Sequence, residues 1–283
     1  MRGYLQLIRF DKPIGTLLLL WPTIWALLIA YDGLPPFNVG VTFIIGVFLT
    51  RSAGCAINDF ADVKYDGNVA RTSGRPLVSG SVSKKEALAI TFVFSLGAFL
   101  LAMYNLKTLT LLWSIPALFL FMTYPFFKRF FPIPQLYLGV AFSFGILMAF
   151  IEASGEITFV SMLIFIINLL WVLAYDTIYA LVDIEDDRKI GMKTSALTFG
   201  RYVVHVVIAC YLLFLSLICY LGIYLSVSAY YWFAMVFVIY QVLTIAYKVR
   251  HQNRDICFQM FIYNNNIGIV ITMALLTNYL RIA

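Results

Sequence analysis

Charged residues are scarce in this sequence. They make up 12% of its 283 residues, whereas a soluble domain carries about 25%. Cysteine and histidine are scarce as well, with four and two copies, and none of them has the spacing of a metal or disulfide motif. Together with a hydrophobic share of 62%, these shortages exclude a disordered chain, a small disulfide-stabilised domain and a soluble enzyme of ordinary composition.

Long apolar runs take the place of the missing charge. There are nine of them, at about 14–31, 39–57, 87–104, 108–127, 135–151, 157–178, 203–224, 228–247 and 261–280. A membrane-spanning helix needs about 20 apolar residues, whereas the strands of a membrane barrel are shorter and alternate in polarity. We therefore expect an all-α integral membrane protein with about nine transmembrane helices. No small-residue cleavage site follows the first run, so we expect a retained span and not a signal peptide.

Lysine and arginine mark one side of the expected bundle. Seventeen of the twenty lie at the N-terminus and in alternate connections, while the opposite side has Lys107 and Arg281, and Arg51 lies inside the second run. By the positive-inside rule, the side rich in lysine and arginine, which includes the N-terminus, faces the cytoplasm. Two connections on this side, after runs two and six, are longer than the rest, and we expect them to form helix-containing cap loops with a functional role.

The first long connection opens with Asn58, Asp62 and Asp66, which recur every four residues. On a helix this spacing puts the three side chains on one face, one turn apart. Oxygen-bearing side chains stacked in this way repel one another, and a hard divalent cation would relieve the repulsion. Because acids at a membrane are costly, we interpret the motif as a functional site.

The second long connection repeats this pattern. Asp183 and Asp187 follow Asp62 and Asp66 by 121 residues, and a basic residue, a threonine and a serine follow each motif. Solvated helix ends could explain one such motif, but the repetition weakens that explanation. We interpret it as a pseudo-repeat within one domain. The expected division is a domain at 1–283, with halves at about 1–130 and 131–250 and a ninth helix at 261–280.

Basic residues complete the expected site. Arg71 and Arg75 follow the first motif, Lys193 has the matching place after the second, and Arg51 lies two helical turns before Asn58. Acids and bases at one pole suit a diphosphate bound through Mg²⁺, with carboxylates on the metal and cations on phosphate oxygens. The apolar helices could receive a hydrocarbon tail, so we expect a polyprenyl diphosphate whose departing pyrophosphate is stabilised by the metal and the cations.

Three tyrosines lie at the same end of the predicted bundle, namely Tyr124, Tyr175 and Tyr179. Their rings could shield an allylic cation through cation–π contacts. Since 17% of the residues are aromatic, any single ring is more often a packing or membrane-interface residue.

The two motifs resemble those of the UbiA superfamily of intramembrane prenyltransferases. The matching segments are Asn58-Asp59-x-x-Asp62-x-x-x-Asp66 and Tyr175-Asp176-x-x-Tyr179-Ala180-x-x-Asp183-x-x-x-Asp187. Three further segments are similar to the 4-hydroxybenzoate polyprenyltransferases of that superfamily. They are residues 9–16, which Trp21-Pro22-Thr23 follows, residues 124–129 and residues 189–194. The resemblance implies helices around a central cavity open sideways to lipid. It also implies transfer of a polyprenyl chain to the carbon ortho to the phenol of 4-hydroxybenzoate, in ubiquinone biosynthesis.

The resemblance also implies a role for individual residues. Mg²⁺ with the diphosphate would be held by Asn58, Asp62, Asp66, Asp183 and Asp187. Phosphate would contact Arg71, Arg75 and Lys193, with Arg51 positioning the site. One of Lys128 and Arg129 would hold the benzoate carboxylate, and Asp176 and Asp183 would lie near the phenol. The expected catalytic set is Asp62, Asp66, Asp176, Asp183, Asp187, Tyr124, Tyr175 and Tyr179. We expect the protein in the bacterial inner (plasma) membrane, with this site on the cytoplasmic side.

Two alternatives remain open at this point. A secondary transporter could use the paired acids as a proton or cation relay, although such sites usually lie near the bilayer midplane. A relative within the superfamily could instead prenylate another aromatic acceptor, such as a naphthoate. An acceptor panel tested with purified protein would separate these possibilities.

Overall fold

Helices form the whole secondary structure of the described chain, which in the computed structural model comprises residues 1–67, 69 and 71–279. The helices are α1 (Arg2–Leu7), α2 (Ile14–Ala30), α3 (Phe37–Asp66), α4 (Lys84–Asn105), α5 (Thr108–Phe127), α6 (Pro134–Ser154), α7 (Phe159–Val182), α8 (Ile184–Ile190), α9 (Ser195–Phe199), α10 (Val203–Tyr224), α11 (Ala229–Val249) and α12 (Arg254–Tyr279). A 3₁₀ turn at Gly200–Tyr202 joins α9 to α10. Arg281 and the predicted end of the last run at Leu280 lie outside the described residues.

Eight segments among the described residues are long and apolar enough to cross a membrane. They are α3, α4, α5, α6, α7, the continuous segment Ser195–Tyr224, α11 and α12. Helix α2 is apolar too, but with 17 residues it is shorter than the others. Each of the nine apolar runs coincides with one of these helices. The all-helical membrane architecture is therefore confirmed, whereas the count of nine spans and the division into two halves stay predictions.

Helix ends follow local sequence signals. Ser83 and Glu86 form a reciprocal capping box at the start of α4, and the hydroxyl of Thr158 accepts the Ser161 N–H at the start of α7. Gly155 ends α6 with a φ of 83°, a left-handed conformation that glycine adopts without a Cβ clash. The caps at Ser83 and Thr158 satisfy backbone N–H groups that have no partner within their own helix.

The core lies between α2, α6, α7, α10, α11 and α12, with a smaller contribution from the first half of α3. Trp25 of α2 stacks on Trp171 of α7 with ring centroids 5.3 Å apart. The Oδ1 of Asn264 on α12 accepts hydrogen bonds from Trp171 Nε1 (2.9 Å) and the Tyr211 hydroxyl (2.8 Å). Such bonds hold spans together where lipid removes the usual hydrophobic driving force. Helices α4 and α5 lie at the periphery. Only 17% of the most apolar segment of α4, and 11% of that of α5, is buried inside the protein.

The first acidic motif lies on a helix that is longer than predicted. The second apolar run ends near residue 57, but α3 continues to Asp66 and carries the motif on its last turns. On these turns Arg75 pairs with Asp66 and Lys128 with Asp62, which offsets the cost of burying the two carboxylates. The connection after α3 has only turns at the described residues 67, 69 and 71–83, so the expected helix is not found there. The connection after α7 contains the short helices α8 and α9, and the role of the two connections as cap loops stays a prediction.

Candidate active site

A cavity of about 210 Å³ lies where the ends of α3, α5 and α7 meet the two long connections. All of the predicted site residues line it except Arg129. The lining members of the predicted set are Arg51, Asn58, Asp62, Asp66, Arg71, Arg75, Tyr124, Lys128, Tyr175, Asp176, Tyr179, Asp183, Asp187 and Lys193. The two motifs, 121 residues apart in sequence, thus share one site.

Lys128 joins two members of the first motif. Its Nζ donates to Asn58 Oδ1 at 2.9 Å and to Asp62 Oδ2 at 3.1 Å, which agrees with the four-residue spacing that places both on one face. Burial disfavours the ammonium charge, but Asp62 and Tyr124 outweigh this cost and raise the pKa of Lys128. The other carboxylate oxygen of Asp62, Oδ1, is buried without a partner among the described residues. It therefore remains free to accept a further ligand.

Asp66 bonds a different cation. Arg75 Nη1 lies 2.7 Å from Asp66 Oδ2 and 3.0 Å from Asp59 Oδ1, and Arg9 Nη2 also donates to Asp59 Oδ1, at 2.6 Å. Asp59 is 1% exposed, and Arg9 lines the cavity. Neither was predicted as a site residue. Asp59 belongs to the matched motif segment, but it lies off the face that the four-residue spacing defines.

Asp183 of the second motif is bound from the other long connection. Arg71 Nε donates to Asp183 Oδ2 at 2.8 Å, its Nη2 bonds the same oxygen, and its guanidinium lies 4.7 Å from the ring centroid of Tyr179. Arg254 at the start of α12 lies 3.4 Å from Asp183 Oδ1. Arg254 was not predicted as a site residue, because a basic residue before the last apolar run is its only signal in the sequence.

Asp187 lies on α8, one turn after Asp183, and faces the same cavity. Burial, together with the negative charge of Asp183, raises the pKa of Asp187 to about 7. Its carboxylate is thus poised to gain or lose a proton near neutral pH, and a cation in the cavity would favour the ionised form.

Backbone and side-chain hydrogen bonds fix the segment that carries Lys193. The Lys193 N–H donates to the carbonyl of Lys128 at 2.8 Å, and the Ser195 N–H donates to Gln135 Oε1 at 2.8 Å. The hydroxyls of Ser195 and Thr177 are 2.7 Å apart. The second connection is therefore tied to α6, α7 and the end of α5, with Lys193 at the cavity wall.

The aromatic and deeper polar groups line the inner part of the cavity. Lys128 Nζ lies 5.1 Å from the centroid of the Tyr124 ring. The Tyr175 hydroxyl and the Arg51 Nε are buried and lack a partner among the described residues, so both can bond a ligand. Asp176 also lines this wall.

Arg129, in contrast, points away from the cavity. It donates to the carbonyl of Ala61 at 2.8 Å, and its guanidinium lies 5.6 Å from the ring centroid of Tyr65 and 5.3 Å from that of Phe126. Adjacent residues at the end of α5 therefore have different surroundings, and Lys128 is the one at the cavity.

Among the described residues, six cations and five carboxylates line the cavity. The described residues include no group of three or more His, Cys, Asp or Glu side chains that could hold a metal ion by themselves. Mg²⁺ usually takes one or two protein carboxylates and completes its shell with water and substrate phosphate oxygens. The spread of acids, the unpaired Asp62 oxygen and the excess of cations fit a metal that binds together with a phosphorylated ligand.

Comparison with known proteins adds independent findings. Residues 19–267 match the family model described as the UbiA prenyltransferase family. A Neisseria meningitidis serogroup B protein named 4-hydroxybenzoate octaprenyltransferase is 53% identical over 266 residues, which are 94% of this chain and 89% of that protein. A protein of the same name from Nitrosomonas eutropha is 50% identical over 278 residues, which are 98% of this chain and 97% of that protein.

Solved structures share the fold. The apo structure of a UbiA homolog from Aeropyrum pernix K1 has a TM-score of 0.81 at 25% identity, over 92% of this chain and 97% of that chain. A UbiA homolog from Archaeoglobus fulgidus bound to GPP and Mg²⁺ has a TM-score of 0.75 at 16% identity, over 97% and 99% of the two chains. The second likeness concerns the fold alone.

Proposed function

This chain belongs to the UbiA prenyltransferase family, and we propose that it transfers a polyprenyl group from a polyprenyl diphosphate to 4-hydroxybenzoate. The new bond forms at the carbon ortho to the hydroxyl, and pyrophosphate is released, as a step of ubiquinone biosynthesis. The observation that carries the proposal is the single cavity in which both acidic motifs meet six cations. Relatives about half identical over nearly the whole chain, named 4-hydroxybenzoate octaprenyltransferases, support the acceptor and a long donor.

The donor diphosphate is bound by cations from both connections. Arg71, Arg75 and Lys193 contact phosphate oxygens, and Arg51 extends this set deeper into the cavity. These cations stabilise the negative charge that develops on the leaving pyrophosphate in the transition state. Stabilising such charge is usually the largest single contribution to catalysis.

The acids hold a divalent metal, Mg²⁺, together with the diphosphate. Its protein ligands come from Asn58, Asp62 and Asp66 in the first motif and from Asp183 and Asp187 in the second. When bound, the metal supplies Lewis-acid stabilisation of the departing pyrophosphate. The likeness to a fold that was crystallised with GPP and Mg²⁺ is consistent with this assignment.

Transfer then proceeds by ionisation and electrophilic attack. The allylic C–O bond of the donor breaks, and its electron pair leaves with the pyrophosphate. The rings of Tyr124, Tyr175 and Tyr179 line the cavity where the allylic cation forms and shield it from water. The ortho carbon of the acceptor attacks, and a carboxylate, the pyrophosphate or water removes the ring proton.

The acceptor is oriented by its two polar ends. We assign its carboxylate to Lys128, because Lys128 lines the cavity whereas Arg129 bonds Ala61 outside it. Asp176 and Asp183 lie on the wall where the phenol would be held. Fixed geometry between the two ends selects the ortho carbon for attack.

The protein is integral to a membrane, and its site faces the side rich in lysine and arginine. We assign that side to the cytoplasm and the membrane to the bacterial inner membrane, by the positive-inside rule. A transporter that uses the same acids would need them near the bilayer midplane, whereas here they lie at helix ends beside basic connections.

The deciding experiment is product formation by the purified protein. With octaprenyl diphosphate, 4-hydroxybenzoate and Mg²⁺, we expect a ring-prenylated acid and one pyrophosphate per turnover. An acceptor panel belongs to the same assay. Faster prenylation of a naphthoate would reassign the acceptor, and no turnover with any aromatic acceptor would contradict the proposal.

A further inference from the structure

Gln135 is the second residue of α6 and lines the active-site cavity, although neither substrate has been assigned to it. The residue is 5% exposed. Leu138 and Phe142, three and seven residues later, line the same cavity. This spacing puts all three on one face of the helix, and Gln135 is the polar residue of that face. A glutamine buried in this way needs hydrogen-bond partners for both ends of its amide.

The protein holds this amide in one orientation. The carbonyl oxygen of a glutamine side chain accepts hydrogen bonds, and its NH2 group donates them. The Ser195 N–H donates to Gln135 Oε1 at 2.8 Å. Because a backbone N–H can only donate, the oxygen of the amide must lie on that side. The Nε2 group therefore points the other way, as a donor whose direction is set by the protein.

The Nε2 group itself is free to bond a ligand. Among the described residues it makes no hydrogen bond, yet it does not belong to the side-chain atoms that are both buried and unpaired. It is therefore in contact with open space, and at Gln135 that space is the cavity. A donor presented in this way by a buried side chain is satisfied when a bound molecule accepts from it.

The carboxylate of the acceptor requires more than Lys128 to hold it. An ammonium group has three donors, and Lys128 Nζ already donates to Asn58 Oδ1 at 2.9 Å and to Asp62 Oδ2 at 3.1 Å. One donor is left for the acceptor, whereas a carboxylate has two oxygens that accept. A single bond lets the ring tilt and turn, so a fixed ring geometry needs a second donor. Arg129 does not supply it, because it bonds Ala61 outside the cavity.

Lys128 and Gln135 start from one corner of the cavity. The Lys193 N–H donates to the Lys128 carbonyl at 2.8 Å. Two residues later, the Ser195 N–H donates to Gln135. Thr194 between them is extended, with φ −143° and ψ 155°, and two residues of extended chain span about 6.6 Å. This segment therefore holds the end of α5 and the start of α6 side by side, and both side chains reach the cavity from there.

We infer that Gln135 Nε2 donates a hydrogen bond to the carboxylate of the aromatic acceptor, beside Lys128. This inference rests on the proposed function, because it takes the acceptor carboxylate to be at Lys128. Two donors match the two oxygens of a carboxylate, whereas the NH2 group of a carboxamide would have to face one of them and leave it unpaired. Gln135 is thus a residue that selects an acid over the amide of the same shape.

Gln135→Glu is a direct test, because it changes only one of the two contacts. Glutamate has the same length and shape, and one of its oxygens still accepts the Ser195 N–H, while the other replaces the NH2 group. The matched control is Gln252→Glu, which adds the same charge in the exposed connection before α12 and does not line the cavity. The measured quantities are kcat and KM for 4-hydroxybenzoate and 4-hydroxybenzamide, and the KM for octaprenyl diphosphate.

In Gln135→Glu the acid acceptor loses a hydrogen bond and meets a like charge, whereas the NH2 group of 4-hydroxybenzamide gains an oxygen to bond. We expect the KM for the acid to rise about tenfold or more, as for the loss of a hydrogen bond to a charged group. The ratio of kcat/KM for the acid to that for the amide should fall by a larger factor. Gln252→Glu should keep both quantities at the wild-type value.

Two outcomes would overturn the inference. An unchanged ratio in Gln135→Glu would mean that Gln135 only anchors the segment at Ser195. A rise confined to the donor KM would mean that the diphosphate, and not the acceptor, bonds Nε2. A wild type that prenylates neither acceptor would instead overturn the proposed function.

A binding measurement on the wild-type protein does not depend on how the variants fold. The chain has five glutamines, of which Gln135 alone lines the cavity, so ¹⁵N-glutamine labelling gives five side-chain NH2 signals in an NMR spectrum. With Mg²⁺ and a non-cleavable donor analogue present, we expect 4-hydroxybenzoate to shift one of the five and 4-hydroxybenzamide to leave it in place. If the acid shifts none of them in a protein that prenylates it, the inference is refuted while the proposed function stands.

Discussion

Lys128 is the residue whose replacement separates acceptor binding from the rest of the chemistry. In Lys128→Met the side chain keeps its length and loses its charge. The acceptor carboxylate then loses a cation at the cavity wall, while the four cations assigned to the diphosphate remain. We therefore expect the KM for 4-hydroxybenzoate to rise more than the KM for the donor, which is affected only through the lost bonds to Asn58 and Asp62.

The magnitude follows from the type of contact. A hydrogen bond between charged groups contributes about 1.5–3 kcal/mol, and each 1.4 kcal/mol corresponds to about a factor of ten. The acceptor KM should thus rise about 10- to 150-fold. The methyl ester of 4-hydroxybenzoate has no carboxylate charge, so the same substitution should leave its KM nearly unchanged and remove the preference of the enzyme for the acid over the ester.

Arg129→Met is the matched control, because Arg129 bonds the Ala61 carbonyl outside the cavity. It should keep the preference for the acid. Lys128→Met also leaves Asn58 Oδ1 and Asp62 Oδ2 without their cation, and breaking a buried ion pair costs about 3–5 kcal/mol of stability. Thermal unfolding therefore accompanies the kinetics. If Lys128→Met keeps the acid preference, the reasoning fails, and Arg51, whose Nε lacks a partner, becomes the candidate carboxylate ligand.

Three further outcomes are expected. Asp62→Asn and Asp183→Asn should each abolish turnover, measured as product formation, while membrane insertion, measured by fractionation, stays normal. Retained turnover would remove the argument for a metal site. Because the pKa of Asp187 is about 7, its proton competes with Mg²⁺ below that pH. The Mg²⁺ concentration for half-maximal activity should rise about tenfold from pH 8 to pH 6, and Asp187→Asn should lack this dependence. Asn264→Leu removes the acceptor shared by Trp171 and Tyr211 and should lower stability by about 1–2 kcal/mol in thermal unfolding in detergent, an effect absent if lipid or water satisfies both donors.

The fold was predictable because hydropathy decides it. Every long apolar run became a helix, since backbone groups in lipid must be bonded within their own segment. The end of α3 was not predictable in this way. Asp62 and Asp66 lower the local hydropathy, but Lys128 and Arg75 bind them and the helix continues through the motif.

Only those features of the candidate site that depend on spacing along one helix were predictable. The four-residue step correctly put Asn58 and Asp62 on one face, where one ammonium bonds both. The pairs between Arg9 and Asp59 and between Arg254 and Asp183 depend on how distant helices pack, which no spacing rule encodes. The choice between Lys128 and Arg129 depends on the direction of the chain as α5 ends, and the sequence left both open.

The position of α12 has a consequence for how the protein is made. This helix is translated after all the others described, yet it is bonded to α2 through Asn265 and Thr272 and carries Arg254 next to Asp183. A nascent chain that has already inserted both acidic motifs still lacks these contacts. The contacts between α12 and both α2 and Asp183 can therefore form only after α12 has been made, so the joining of these distant segments is a late step of folding.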